Sequence, residues 1–598
     1  MDQSAQRLLL RPISPPPKKR RMISETLKDP GYLETPPGED KPCPPPDKRR
    51  FDSPFHLTRI RDLPPELNVD TIGLNDILGD PLISECWEFN YLHDIDFLMR
   101  AFDQDVRHLV NIHVVHGFWK KDDSNRIELQ QNQASRYKNV ALHTAFMPEM
   151  FGTHHSKMMI LLRHDDTAQI VIHTANLIVR DWTNMTQAVW LSPRLPLLPT
   201  TSTQDGSENY SPAAATTVAA ASSQDDQEEE IPKTGSGAKF KIDFLNYLRS
   251  YDTRRVTCRP IIETLSKYDF SAVRGSLIAS VPGRHNIHDR SRTQWGWAAM
   301  KQALRDVPVQ YHTATSSSTT KTTGKEKAPE IVVQISSIAT LGPTDSWLKT
   351  TLFRALSGGR GRPLLKFKVV FPTADEIRAS LDGYGSGGSI HTKIKSPQQA
   401  KQLQYLHPIF YHWANDCSGA ASKSPPLPPC DTQAHLIKTN PPSIELPENE
   451  PVRDAGRQRA APHIKTYIRF ANGSRASSPT IDWALVTSAN LSKQAWGDAV
   501  NNSTGEARVA SYEIGVLVWP ALFAEDTVMK PAFLTDRVTA PAEKTSDEER
   551  HDGDAVPVVA LRLPYSLPLQ AYGKHENPWV ATESYAEPDW KGQYWKKD

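Results

Sequence analysis

The stretch GTHHSKMMILL (152–162), followed by VIHTANLIVRDW (171–182), is answered far downstream by PHIKTYIRF (462–470) and LVTSANLSKQAW (485–496). Each copy opens on His-x-Lys, His155-Ser156-Lys157 in the first and His463-Ile464-Lys465 in the second. Each then runs through an apolar segment into Ala-Asn-Leu and reaches a tryptophan six residues past the asparagine, Asn176 with Trp182 and Asn490 with Trp496. The order is the same in both, and the second copy has a longer intervening loop, FANGSRASSPT. A further polar residue follows each asparagine inside a β-like run, Gln187 in MTQAVWL and Glu513 in SYEIGVLVW. One His-x-Lys alone is usually a surface pair, and one Asn after a strand is usually a turn residue. Two ordered copies at near-equal spacing mark a duplicated unit and a candidate site.

The residue types set the chemistry. Along a strand, side chains at i and i+2 point the same way, so His and Lys of each motif share a face. The ammonium offers a cation to an anionic substrate, while the imidazole can attack or carry a proton. An asparagine at a strand end adds a neutral donor. Two such sets around one pocket supply lysines and amides for phosphoryl oxygens, one histidine as nucleophile and another as acid. The constellation predicts metal-free phosphoryl transfer through a phosphohistidine.

Outward from the repeat, short apolar runs alternate with amphipathic stretches. MMILL (158–162), IVIH (170–173), KFKVVF (366–371) and WALVTS (483–488) read as buried strands. FNYLHDIDFLMRAF (89–102) and SWLKTTLFRAL (346–356) have helical spacing. Alternation of this kind predicts an α/β architecture with helices covering sheets.

The 598-residue chain is long enough for two to four domains. Its 38% hydrophobic content is low and its 48 prolines are many, which suggests globular sequence diluted by proline-rich segments. Residues 1–50 read as a disordered basic, proline-rich arm, and 199–238, 313–329, 418–460 and 540–554 as polar insertions. Lys+Arg 70 against Asp+Glu 69 excludes a uniformly basic surface but allows a local basic groove. No run approaches the ~18 apolar residues of a membrane span, and the start lacks the pattern of a secretory signal. The five scattered cysteines form neither a disulfide framework nor a zinc ribbon. Lys18-Lys19-Arg20-Arg21 and Lys48-Arg49-Arg50 read as a nuclear import signal.

Other signals are weaker. GSGAK (235–239) lacks phosphate-loop spacing and reads as a linker, and GGRGR (358–362) as a flexible turn. His154 has no partners at metal spacing, so no metal site is expected. The C-terminal aromatics Trp579, Tyr585, Trp590, Tyr594 and Trp595 are expected mainly to close a core.

With these motifs the chain resembles the phospholipase D superfamily, whose members pair two His-x-Lys motifs. Most continue as His-x-Lys-x4-Asp, whereas Leu162 and Phe470 stand at those positions here. That departure counts against a lipid hydrolase and matches the tyrosyl-DNA phosphodiesterase branch, which clears topoisomerase I peptide from DNA 3′ ends. The likeness extends to FNY (89–91), FGTHHSKMM (151–159), SVPGR (280–284) and SYEIGVL (511–517), and runs from about Phe51 to the C-terminus.

The resemblance implies two similar phospholipase D-like α-β-α sandwich domains in pseudo-two-fold relation, 51–280 and 281–598, one set of motifs in each. It implies His155 as nucleophile, His463 as general acid and then base, and Lys157, Lys465, Asn176 and Asn490 as ligands of the phosphoryl oxygens. Gln187 and Glu513 would each hydrogen-bond the histidine of the opposite half. Tyr91, Phe151, Ser336, Ser337 and Ser389 match positions lining the family's DNA groove. It further implies a nuclear, monomeric DNA-repair enzyme without metal or other cofactor, acting on 3′-blocked DNA ends and topoisomerase I-derived peptide.

Overall fold

Met158–Arg163 is a strand buried along its whole length. Apolar side chains on both faces demand cover on both sides, and they find it: Met159 and Leu161 enter one core, Met158, Ile160 and Leu162 another. The neighbouring strand Thr167–His173 divides likewise, with Val171 on the first side and Ile170 and Ile172 on the second.

In this computed structural model the described residues are 50–117, 124, 128, 129, 133–199, 232–255, 257–289, 292–310, 328–358, 365–414, 452–534 and 556–596. The arm up to Arg49, the insertion at 313–329 up to Lys327, all of 540–554, and most of 199–238, 418–460 and GGRGR lie outside them.

Met158–Arg163 runs antiparallel between Ile83–Phe89 and Thr167–His173. Beyond Ile83–Phe89 lie Asn111–His116 and Val140–Thr144, successively parallel, and beyond Thr167–His173 lies antiparallel Ala188–Leu191. The second sheet repeats this plan. Thr466–Phe470 runs antiparallel between Glu330–Gln334 and Ile481–Thr487, with Lys366–Val370 and Phe410–Tyr411 parallel on one side and Gly515–Val518 antiparallel on the other. The motif repeat in the sequence is thus a repeat of strand order and sense.

The sheets share a central core. Ile160, Ile170 and Ile172 of the first meet Ile468, Ala484, Val486 and Val516 of the second, together with helices Gly237–Arg249 and Arg259–Leu265. The outer face of the first sheet packs under Leu74–Leu78 and Ile95–Ala101. That of the second packs under Trp297–Asp306 and the helical turn Leu348–Phe353. Leu162 and Phe470, where most of the superfamily place aspartate, both sit in the central core, Phe470 with no exposure at all. An unpaired carboxylate there would carry a prohibitive desolvation cost.

Several local readings need correction. The helix read over 89–102 begins only at Ile95, because Phe89 ends a strand paired with both Met158 and Val115. Asp94 caps it, its carboxylate accepting from Phe97 N at 2.9 Å. The helical reading of 346–356 holds, with a π turn over Leu348–Phe353 running into the α turn Arg354–Leu356. GSGAK is a helix start, not a linker: Ser236 caps Gly237–Arg249. A Cβ on Gly237 would lie 1.8 Å from Phe270 O, so only glycine lets this end dock. Residues 452–460 belong to the fold, with Ala455 and Ala460 buried and Arg457 donating to Thr58 O at 2.8 Å. Arg50 leaves the arm to form the strand Arg50–Phe51 beside Val558–Arg562 in the second sheet. Ser276–Leu277 joins that sheet too, against Gly515–Val518.

Candidate active site

Both histidines are carried on extended segments that lead into buried strands, Met158–Arg163 and Thr466–Phe470. Each segment is stitched to the opposite half. His154 forms a bridge with Tyr512, and His155 N donates to Tyr512 O at 3.0 Å. In the same way Pro462 bridges Thr186, and His463 N donates to Thr186 O at 3.1 Å. The residue after each bridge partner is Glu513 or Gln187, so backbone register delivers each to the opposing histidine.

Glu513 Oε2 lies 2.9 Å from His155 Nδ1. Ser488 Oγ donates to the same oxygen at 2.5 Å. Burial works against ionisation of Glu513, but His155, Lys157 and Ser488 outweigh it and hold the carboxyl below its ordinary range. The His155 pKa is lowered, chiefly by burial, with Glu513 opposing and Lys157 reinforcing. The lowering favours the neutral imidazole over the imidazolium. The contact at Nδ1 leaves Nε2 for attack.

The Gln187 amide meets His463 Nδ1 at 3.1 Å from Nε2 and 3.2 Å from Oε1. Thr174 Oγ1 donates to Oε1 at 2.8 Å, and Nε2 donates to Asp181 O at 3.2 Å. Thr174 and Ser488 both stand two residues before the motif asparagine, so a hydroxyl steadies the orienting side chain in each copy. Burial holds the His463 pKa well below its ordinary value, and Lys465, Lys157, His155 and His391 add to this.

Each motif lysine turns back onto the carbonyl of its own histidine. Lys157 Nζ donates to His155 O at 3.1 Å, and Lys465 Nζ donates to His463 O. Both side chains are fully buried. Burial pulls Lys157 down to about 8 against the pull of Glu513, Asp181 and Glu88. Lys465 is pushed well down by burial and then by Lys157. Each amine ends on a backbone carbonyl, and a phosphoryl group would favour the charged form of both.

The asparagines are held differently. Asn490 Oδ1 accepts from Ser336 N at 3.1 Å, Ser336 Oγ at 3.3 Å and Ser337 N at 2.9 Å, turning its amide nitrogen away from them. Asn176 donates from N and Nδ2 to Asp181 Oδ2 at 2.7 and 2.9 Å, leaving one amide hydrogen of Nδ2.

Of the groove residues, Tyr91 places its ring 5.9 Å from that of His155. Phe151 is 74% exposed, so it is a surface side chain and not core. Ser389 is buried, its Oγ donating to Asp181 Oδ1 at 3.3 Å, and Ser337 Oγ donates to His391 O at 3.0 Å. Ser336 and Ser337 thus spend their amides on Asn490. Asp181 itself escaped the sequence reading. It is fully buried, and its place in the second copy is taken by Ala495.

His154, beside His155, bonds Asn90 O at 2.9 Å and Tyr251 OH at 3.0 Å through its two nitrogens. No cluster of metal-ligating side chains occurs among the described residues. Trp579 is fully buried and stacks on Tyr585, closing the second core, whereas Trp590 and Tyr594 are exposed.

Duplicated sheets carrying paired His, Lys and Asn define the phospholipase D type of α/β phosphodiesterase. The profile of the family described as tyrosyl-DNA phosphodiesterase matches residues 54–573. A Schizosaccharomyces pombe protein named "Probable tyrosyl-DNA phosphodiesterase" is 32% identical over 92% of this chain and 98% of its own. Tyrosyl-DNA phosphodiesterase 1 of Arabidopsis thaliana is 26% identical over 93% of this chain and 78% of its own. A yeast tyrosyl-DNA phosphodiesterase crystal structure shares the fold, with TM-score 0.54 and 20% identity over 88% of this chain and 98% of that one. The chain belongs to the tyrosyl-DNA phosphodiesterase family and is a phosphodiesterase hydrolase.

Proposed function

We propose that the protein hydrolyses the bond between tyrosine and a DNA 3′ phosphate, by way of a phosphohistidine and without metal. The observation that carries this reading is the reciprocal pairing across the halves, His155 with Glu513 and His463 with Gln187. Two differently supported histidines suit two different duties. In the first step His155 Nε2 bonds to phosphorus as the bond from phosphorus to the tyrosyl oxygen breaks. His463 delivers its proton to that oxygen, and tyrosine leaves as the neutral phenol. The Glu513 carboxylate offsets the positive charge left on the His155 ring. In the second step His463 removes a proton from water, the water oxygen bonds to phosphorus, and the bond to His155 breaks. The products are a 3′ phosphate and the original imidazole.

Lys157, Lys465, Asn176 and Asn490 take the non-bridging oxygens, and Tyr91 and Phe151 offer stacking surfaces to single-stranded ends. Phenol has a pKa near ~10, so phenolate leaves slowly without a proton. General acid catalysis contributes roughly 10²–10⁴-fold. The names of the relatives support a tyrosyl-DNA substrate. The same reading includes other 3′-blocking groups, topoisomerase I-derived peptide as the natural tyrosyl donor, DNA repair as the purpose, the nucleus as the place and a monomer as the working form.

The test is a single-stranded oligonucleotide ending in 3′-phosphotyrosine, incubated with protein in excess EDTA. Conversion to a 3′-phosphate end by the wild type, abolished in His155→Ala, is expected. Retention of DNA with no product would favour a binding scaffold, and turnover of phosphatidyl esters instead would favour a lipid enzyme.

A further inference from the structure

We propose that Asp181 is the positioning carboxylate of His463, doing for the acid what Glu513 does for the nucleophile; this rests on the phosphohistidine reading above. The motif repeat is asymmetric at two places. The second copy has Glu513 where the first has Gln187, and the first has Asp181 where the second has Ala495. Each copy of the motif thus contributes one carboxylate to the site, at a different point of the repeat.

The geometry joins them to opposite histidines. Asp181 Oδ2 lies 3.3 Å from His463 Nδ1, and Glu513 Oε2 lies 2.9 Å from His155 Nδ1. Asp181 is held from several directions: Asn176 N and Nδ2 donate to Oδ2, Ser389 Oγ donates to Oδ1, and Gln187 Nε2 donates to its backbone carbonyl. Gln187 therefore fixes the ring plane of His463, while the negative charge comes from Asp181.

His463 needs that charge. Before it gives a proton to the leaving group, and after it takes one from water, it is an imidazolium buried beside Lys465 and Lys157. Removing the counter-charge of a buried cation is strongly unfavourable. Burial raises the Asp181 pKa, while the Asn176 bonds and both lysines oppose this and favour the carboxylate. Because Asn176 hangs from the same oxygen, Asp181 also couples the acid to a phosphate ligand.

The experiment compares full-length wild type, Asp181→Asn, Asp181→Ala, Gln187→Glu and Asp181→Ala/Gln187→Glu on the 3′-phosphotyrosine oligonucleotide. Adduct formation and adduct hydrolysis are timed separately across pH. Asp181→Ala should slow hydrolysis by about 10²-fold, within the range of general acid–base catalysis. It should also move a limb of the hydrolysis pH profile. The double variant should recover at least about tenfold, because Gln187→Glu returns a carboxylate to His463 Nδ1. Hydrolysis by Asp181→Ala within about threefold of wild type would overturn the inference, as would a double variant that melts like wild type yet recovers nothing. Imidazole ¹⁵N NMR of substrate-free protein gives an independent reading. The His463 titration should fall by about one pH unit or more in Asp181→Asn, the scale of one lost charge-assisted contact, and an unchanged titration would overturn the proposal. If the wild type neither forms an adduct nor releases product, the wider reading fails while the NMR comparison still decides Asp181.

Discussion

Lys157 carries its ammonium into a fully buried site, and burial brings its pKa to about 8. The sign of the consequence follows: as pH rises through that value the cation is lost, and with it attraction for a phosphodiester. KM should therefore climb on the alkaline side in wild type, and Lys157→Met should start from a higher KM and lose that limb. Steady-state kinetics across neutral to alkaline pH checks this. At the residue scale the sequence was legible where the two copies agree in type. His155, Lys157 and Asn176 are mirrored by His463, Lys465 and Asn490, and chemistry named itself by repetition. Asp181 was illegible because its counterpart is Ala495, so a search for shared residues passes over it. Thr174 and Ser488 were hidden more shallowly, being different residues that offer the same hydroxyl to Gln187 and Glu513.

At the scale of elements, strands buried on both faces read clearly, since MMILL (158–162) and WALV (483–486) are continuous apolar runs. The start of the helix at Ile95 did not, because apolar residues from Phe89 onward continue a helical spacing that strand pairing overrides. The segment 152–155 is an element without a secondary-structure label, and its placement decides the site. A Cβ on Gly152 would sit 1.9 Å from Ala510 O. Gly152→Ala should therefore force the His155 segment away from 510–513, weaken the His155–Glu513 contact and lower kcat by about tenfold or more. A larger loss of kcat than of thermal stability is the expected signature.

His412 sits between Glu376 at 3.1 Å and Glu576 at 2.9 Å. Burial opposes protonation, yet the carboxylates prevail and raise its pKa above the ordinary value. Stability from this clasp is present in full below the unfolded pKa and is lost as pH rises through the folded one. Melting temperature should fall with rising pH over that window, and His412→Gln should flatten the dependence at a cost of about 1–2 kcal/mol at the acidic end, since Glu576 is half exposed.

At the scale of the whole molecule, the central core draws on both sheets, so the two copies support one another physically as well as chemically. Phe470→Ala removes a fully buried ring from that core and should cost about 3–5 kcal/mol, seen as a lowered denaturant midpoint. The duplicated topology was visible in the sequence as a repeat of motifs. The joining of Arg50–Phe51 and Ser276–Leu277 to the second sheet was not, because short edge strands carry little periodic signal. The central claim is that one half supplies the nucleophile and the other the acid. The measurement that tests it most directly is mass spectrometry of His463→Ala after reaction with a 3′-phosphorylated oligonucleotide bearing a good leaving group. A stable DNA adduct is expected on the peptide containing His155, absent from the His155→Ala/His463→Ala double variant. An adduct on any other residue, or His463→Ala that turns over as fast as wild type with no adduct, would contradict it.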